Sequence, residues 1–157
     1  MWEILQSMAL AAFPIFELRG GIPFALWRGV NPVVAIIVCV IANALVAPVV
    51  FLFLDYVHHH LYPMRWYARI FDRFVHHTRE RLHNAVQKYG YWGLVLFVGV
   101  PLPLTGAYTG ALGAWLFGLD RKKSLYCITL GILVAGIIVA AAVLSGSAAI
   151  RALFTAG

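Results

Sequence analysis

The chain has 157 residues, of which 62% are hydrophobic and 11% charged, and its formal net charge is +6. At a mean hydropathy of +0.86, it has too few polar groups to cover its apolar surface in water, so composition excludes an ordinary soluble domain. The basic excess does not indicate nucleic-acid binding, because no nucleic-acid motif accompanies it. Basic residues beside membrane spans set orientation and meet anionic lipid headgroups.

The first segment of the chain predicts a re-entrant hairpin. The N-terminus lacks the basic start of a secretory signal, so we expect no cleavage. Residues 8–16 are apolar but too few to cross a bilayer, which takes about 20 residues. In residues 13–23, two prolines and a glycine pair predict an interrupted helix around Glu17 and Arg19. Residues 24–27 resume the apolar character, and residues 28–32 form a predicted turn.

A full span and a basic segment follow. Residues 33–54 are uncharged and long enough to cross a membrane, with a kink predicted at Pro48. In residues 58–88, basic side chains accompany apolar ones at three- and four-residue steps. This pattern predicts an amphipathic helix lying in the headgroup plane and beginning near Pro63. Its histidines leave a metal site open as an alternative. We favour an exposed interfacial face, because no Cys or carboxylate pattern completes a metal site.

The second half of the chain repeats the order of the first. Residues 94–100 enter, residues 100–110 break, residues 111–119 return, and residues 125–144 span again. A hairpin returns to its starting side and one span then crosses, so the second hairpin must enter from the opposite face. The sequence therefore predicts an all-α integral membrane protein with an inverted-topology repeat.

This prediction makes residues 1–157 a single membrane domain. Repeat one covers residues 8–57, the interfacial helix residues 58–88 and repeat two residues 89–147. The Lys and Arg residues concentrate on the side of the basic helix. By the positive-inside rule that helix is cytoplasmic, and both termini are then outside the cell.

The two breaks hold the candidate site. Ionisable residues at membrane depth are functional candidates, so Glu17 and Arg19 come first. Arg19 can bind a phosphate or carboxylate in a bidentate way, and Glu17 can carry a proton in a coupled cycle. The alternative is that the two residues form a structural pair. The candidate substrate-binding or coupling residues are Glu17, Arg19, Gly20, Pro23, Arg28, Asn43, Pro101, Pro103, Thr105, Gly106, Tyr108 and Thr109.

Several of these residues also have a plain structural interpretation. Arg28 is either a second anion contact or, more commonly, an interfacial arginine. A mid-span residue such as Asn43 more often bonds to another helix than to substrate. Gly106 belongs to a small-residue series with Gly110 and Ala114, which favours close helix packing. Asp55 is expected at an interface, without a role in the site.

No catalytic motif is present, so the chain is not expected to be an enzyme. No cofactor or resident metal is expected. Cys39 and Cys127 each lie in a long apolar run, as small buried residues do.

At residues 14–23 (PIFELRGGIP) and 101–111 (PLPLTGAYTGA), the sequence resembles the small multidrug export protein family of prokaryotic membrane proteins. That family is distantly similar to the DedA-like membrane proteins, which share two facing re-entrant hairpins with acidic and arginine residues. The larger group is linked to ion-driven flipping of undecaprenyl phosphate and other lipids. The resemblance implies that Glu17 and Arg19 are the coupling and headgroup-binding pair. The chain departs from DedA-like proteins in its shorter length and its uncharged second hairpin.

From these observations we expect a transporter in the cell inner membrane. Its expected function is ion-coupled translocation of a lipid carrier phosphate or another anionic amphiphile. The expected partners are membrane lipids, the anionic substrate, protons or another coupling ion, and a second copy in a homodimer. Two alternatives stay open: efflux of small-molecule or cationic drugs, and a non-transporting membrane scaffold that acts through the basic helix.

Overall fold

The computed structural model describes residues 2–13, 17–100 and 105–155, and within them the chain is helical apart from short turns. The helices are, in chain order, α1 (Trp2–Ala12), α2 (Glu17–Trp27), α3 (Pro32–Leu52), α4 (His58–Leu61), α5 (Arg65–Tyr89), α6 (Tyr91–Gly99), α7 (Ala107–Leu116) and α8 (Arg121–Thr155). A π-helical turn at Phe53–Val57 joins α3 to α4 without a break.

Two helices are long and apolar enough to cross a membrane. The first is the continuous rod Pro32–Leu61, with 30 residues, and the second is Arg121–Gly146, with 26. At a rise of about 1.5 Å per residue both exceed the bilayer core of about 30 Å. Asn31 caps the first rod, because its side chain accepts the Val33 N–H at 2.9 Å, and Pro32 takes the first helical position. The predicted turn before this span is confirmed.

The other apolar helices form two short antiparallel pairs. Helices α1 and α2 have 11 residues each, and α6 and α7 have 9 and 10. Each is therefore about 14–16 Å long, half the depth of a bilayer core. Close packing holds each pair together, because a Cβ on Gly21 would overlap the Ser7 carbonyl and one on Gly110 would overlap Val98.

The packing of the first pair on the long helices matches that of the second. Helix α1 packs on α3 as α6 packs on α8, and α2 contacts α3 as α7 contacts α8. The two halves also exchange contacts, because α7 packs on α3 and α2 packs on α8. The long helices α3 and α8 pack on each other between them. Each short pair is thus held by both long helices.

The basic helix α5 joins the two halves and packs along only part of its length. Leu82 and Thr78 are fully buried, and Leu82 fills the space beside Gly113 of α7. Near the start of the helix, Trp66 and Ile70 are 64% and 57% exposed. The predicted apolar face is therefore covered unevenly: its C-terminal part is buried by protein, whereas in its N-terminal part Tyr67 and Phe71 are half-buried and Ile70 is exposed.

Three predicted boundaries were wrong. The first arm begins at Trp2, six residues before position 8. Helix α2 runs without interruption through Gly20, Gly21 and Pro23. Pro23 removes only the N–H that would bond to the Arg19 carbonyl, and the buried face of α2 offsets that loss. The interfacial segment was predicted to start at residue 58, but the three histidines of α4 extend the first long rod. Its amphipathic helix begins at Arg65, near Pro63 as predicted.

The tight contact between α5 and α6 gives a stability prediction. A Cβ on Gly93 would overlap the Ala85 carbonyl, which is backbone and cannot turn aside. We expect Gly93→Ala to destabilise the protein by about 1–3 kcal/mol through overpacking, seen as a lower Tm in detergent. The matched control is Gly146→Ala on α8, where an added Cβ meets open space. An equal Tm for the two variants would contradict this packing.

Candidate functional site

The first helical turns of α2 and α7 face each other, and Glu17 lies between them. Glu17 is the first residue of α2, and its carboxylate accepts a hydrogen bond from the backbone N–H of Tyr108 in the first turn of α7. The approach is so close that a Cβ on Gly106 would overlap the Glu17 carboxylate. The positive ends of two helix dipoles therefore meet at one carboxylate.

Arg19 ties the first hairpin to the second. Its Nη2 donates to the Thr105 carbonyl oxygen at 2.5 Å and to Thr105 Oγ1 at 2.9 Å. The Thr105 hydroxyl in turn donates to the Val100 carbonyl at 3.0 Å. Arg19 is half-buried and also interacts electrostatically with Glu17. One guanidinium thus holds the break of the second hairpin beside the acid of the first.

Two further hydroxyls complete the junction. The Tyr108 hydroxyl donates to the Ala12 carbonyl at 2.5 Å, which satisfies a carbonyl left open at the C-terminal end of α1. The Thr109 hydroxyl lies 3.4 Å from the Gly106 carbonyl, within its own hairpin. Tyr108 therefore links the hairpins, whereas Thr109 is buried and bonds locally.

The backbone at Glu17 is strained. Its φ is +47°, and it is the one non-glycine residue with positive φ in the described part of the chain. A non-glycine residue in this region costs about 1–3 kcal/mol and persists only where its surroundings require it. Here the Arg19 and Tyr108 contacts hold the carboxylate in place. A strained acid at the junction of two hairpins has the character of a functional group.

The structure brings five of the predicted site residues into one constellation: Glu17, Arg19, Thr105, Gly106 and Tyr108.

The other predicted residues lie around it or apart from it. Gly20 and Pro23 follow in α2, and Thr109 is buried in α7. Arg28 is at the opposite end of α2, exposed, with its guanidinium 5.7 Å from the centre of the Phe24 ring. Asn43 is buried in α3, and its Oδ1 has no hydrogen-bond partner among the described residues, so the expected interhelical bond at that atom is not seen. Pro101 and Pro103 lie outside the described residues.

Sequence reasoning missed a second polar junction, at the π-helical turn. Asp55 forms an ion pair with Arg121, with 2.6 Å between Oδ2 and Nη1, and accepts Trp115 Nε1–H at 3.2 Å. It therefore links the end of the first span to α7 and to the start of α8. The sequence did contain a signal for this contact: Asp55 is an acid between an uncharged span and a run of histidines. A partly buried acid at such a position needs a charged or hydrogen-bonding partner.

An aromatic cluster adjoins this junction and docks the start of α5. The His58 ring lies 4.1 Å from that of Phe71 and 5.7 Å from that of Trp115, centre to centre. His58 Nδ1 is 3.0 Å from the Tyr67 hydroxyl. Burial raises the pKa of Tyr67 above its ordinary value, so its hydroxyl stays protonated at neutral pH. His58 is thus half-buried in this cluster, whereas His59, His60 and His76 are exposed, as the predicted interfacial face requires.

The site and fold define a class: helical proteins with two apolar rods and a half-buried acid–arginine pair where two short hairpins meet. The chain belongs to the family described as "Putative small multi-drug export protein", whose model matches residues 17–138. The match begins at Glu17 and includes Arg19 and residues 105–109 of the second hairpin. Family and apolar rods together indicate a membrane protein. No curated protein and no solved structure matches the chain significantly.

The contact between Gly106 and Glu17 can be tested as a pair. We expect Gly106→Ala to lower stability by about 1–3 kcal/mol, because the new methyl group overlaps the carboxylate. In a Glu17→Ala background the methyl group no longer meets the carboxylate, so the same change should cost less. The cost of a side chain at the positive φ of Gly106 remains in both backgrounds. Unfolding in detergent measures both. Gly99→Ala, whose Cβ would lie at an ordinary 3.5 Å from its nearest neighbour, is the control. If the effects of Gly106→Ala and Glu17→Ala on the free energy of unfolding simply add, the two residues are not in contact.

The Asp55–Arg121 pair gives a double-mutant cycle. Because the Arg121 side chain is 58% exposed, solvent screens the pair, and we expect a coupling of about 1 kcal/mol between Asp55→Asn and Arg121→Gln. Lys122→Gln has no contact with Asp55 and should be additive with Asp55→Asn. Thermal unfolding of the variants measures both couplings; equal values would contradict the pairing.

Proposed function

We propose that the protein is an ion-coupled transporter of the cell inner membrane that translocates an anionic amphiphile, such as a lipid carrier phosphate. One observation carries the proposal: Glu17, Arg19 and the first turn of α7 converge where two half-length hairpins meet. Transporters place substrate and ion sites at such midplane breaks, where helix ends point at the ligand.

The proposed membrane placement follows from helix lengths. The rods α3 and α8 cross the bilayer, and each short pair enters halfway and returns, from opposite faces. The matched packing of α1–α3 and α6–α8 supports an inverted-topology repeat. Interrupted backbone is tolerated at membrane depth only where protein or water covers it, and here the other hairpin and the long rods provide that cover. The positive charges of α5 and of the start of α8 support a cytoplasmic location for that side, by the positive-inside rule.

The charge at the junction favours an anion. It consists of one carboxylate, one guanidinium and two positive helix ends, so the positive contributions exceed the negative one. When Glu17 is ionised, its carboxylate accepts a hydrogen bond from the Tyr108 backbone N–H and interacts electrostatically with Arg19. When Glu17 takes up a proton, the Tyr108 N–H and the Arg19 guanidinium no longer have a negatively charged partner within the protein. A phosphate can then replace the carboxylate at the same donors.

This exchange couples proton and substrate with a definite sign. The protonated form of Glu17 binds the anion, so by linkage the bound anion favours protonation of Glu17. Proton and anion then move together. The amphiphile affinity should rise as the pH falls.

Drug efflux is the second candidate, and the family description favours it. A cationic drug would use the Glu17 carboxylate itself and would compete with the proton for it. The affinity for a cation should then rise with pH, opposite in sign to the anion case. Arg19 beside the acid opposes a cation electrostatically.

The sign of the pH dependence tests the proposal. We expect a fluorescent alkyl phosphate to bind the purified protein more tightly at acidic than at neutral pH. Removing a charge-assisted hydrogen bond costs about 1.5–3 kcal/mol, so Arg19→Gln should weaken binding about tenfold or more. A cationic dye measured in parallel should show weak binding. Tighter dye binding at higher pH, lost in Glu17→Gln, would replace the anion proposal by cation efflux.

Coupling is tested in proteoliposomes with an imposed pH gradient. Glu17→Gln should lose the response of alkyl-phosphate translocation to the gradient, because no carboxylate remains to carry the proton. Glu80→Gln on α5, whose side chain is 67% exposed, is the matched control and should respond as the unaltered protein does. A Glu17→Gln protein with a full response would exclude the coupling role.

A further inference from the structure

A groove opens on the lateral surface between the first turns of α6 and α8, far along both helices from the hairpin break. Its volume is about 350 Å³, within the range of small-ligand sites. The floor is apolar and formed by Val95, Cys127 and Leu130. The transport site at Glu17 and Thr105 shares none of these residues.

The mouth of the groove has aromatic side chains and one cation. Trp92 and Tyr126 line it and are 67% and 79% exposed. Both side chains are large and amphipathic. Such side chains are typical of the headgroup level of a bilayer, where one end of the ring is apolar and the other wet. The groove therefore opens at the boundary between acyl chains and headgroups.

Lys123 is the charged residue that lines this groove. Its Nζ lies 5.8 Å from the centre of the Tyr91 ring, so the ammonium is beside the aromatic mouth. The nearby Asp120 is engaged elsewhere, because its carboxylate accepts the backbone N–H of Lys123 at 2.9 Å and caps α8. The Asp120 N–H in turn donates to the Tyr91 hydroxyl at 3.1 Å. An ammonium at the mouth of an apolar groove is complementary to an anionic headgroup with an acyl chain.

We propose that this groove is a binding site for an anionic phospholipid. The lipid phosphate lies at the Lys123 ammonium, and one acyl chain follows Val95 and Leu130 towards the bilayer interior. The site is independent of transport, because it requires the membrane placement of α6 and α8 but neither Glu17 nor Arg19. Its occupant would hold the start of the second hairpin against the last span.

Occupancy of the groove can be measured at a cysteine that lines it. Cys127 lines it and is partly exposed, whereas Cys39 is fully buried against α1 and α2. N-ethylmaleimide should therefore alkylate Cys127 in the folded, purified protein and leave Cys39 unmodified. Intact-protein mass spectrometry counts the labels. A bound acyl chain covers the Cys127 thiol, so occupancy of the groove is measured as slower alkylation.

The experiment compares phosphatidylglycerol with phosphatidylcholine of identical acyl chains, each added in mixed micelles. We expect phosphatidylglycerol to protect Cys127 at about fivefold lower concentration, the ratio contributed by one basic residue at an anionic surface. Lys123→Gln should abolish that preference, and Lys123→Met should do the same. Lys122→Gln is the matched control beside the groove and should retain the preference for phosphatidylglycerol. Unmodified Cys39 in each variant shows that the fold is intact.

Three results would overturn the proposal. Equal protection by the two lipids would show that the groove does not select charge. A preference that survives in both Lys123 variants would place the selecting cation elsewhere. Protection by inorganic phosphate alone would define a simple anion site instead of a lipid site.

Discussion

Arg19 donates to both the carbonyl and the hydroxyl of Thr105, and this contact joins two hairpins that are distant in sequence. The surrounding architecture makes it possible. Each hairpin ends halfway along the long rods, so the carbonyls and N–H groups at its break need partners from the opposite hairpin. Tyr108 supplies one such partner to Ala12, and Glu17 receives another from the backbone of α7. Among the described residues, these polar groups beside each break thus find partners in the other hairpin.

The same reciprocity accounts for the small residues near the junction. Gly106 leaves room for the Glu17 carboxylate, and Gly21 and Gly110 allow each short pair to pack closely. With larger residues at these positions the hairpins would separate, and the acid and the arginine would lose their fixed distance from the first turn of α7. Close packing and site geometry therefore have one cause. This is also why a strained φ at Glu17 can be maintained.

The cytoplasmic side of the proposed arrangement is organised by different forces. There the Asp55–Arg121 pair and the His58 aromatic cluster fasten the end of the first rod to α5, α7 and α8. The π-helical turn at Phe53–Val57 shifts the helix register at this point, where Asp55 meets Trp115 and Arg121. Such turns are frequent at functional sites. Trp115 belongs both to α7 and to the aromatic contacts, so it connects this cluster to the second hairpin.

The sequence by itself determined the helical class and the two apolar rods, and it singled out Glu17 and Arg19 as the candidate pair, because composition and hydrophobic period are properties of the chain alone. It also determined the family, through motifs at the two breaks. It wrongly predicted an interruption within α2, because propensity assigns a break to prolines and glycines, whereas packing kept Pro23 helical.

Only the tertiary structure decided which groups meet. Arg19 and Thr105 are 86 residues apart, and no local pattern specifies that the guanidinium bonds to that carbonyl or that the Glu17 acid occupies the first turn of α7. The same holds for Asp55 and for the groove at Lys123. Contacts between distant segments depend on the relative position of whole helices, which is set by the summed packing of both hairpins on the long rods and not by any single residue type.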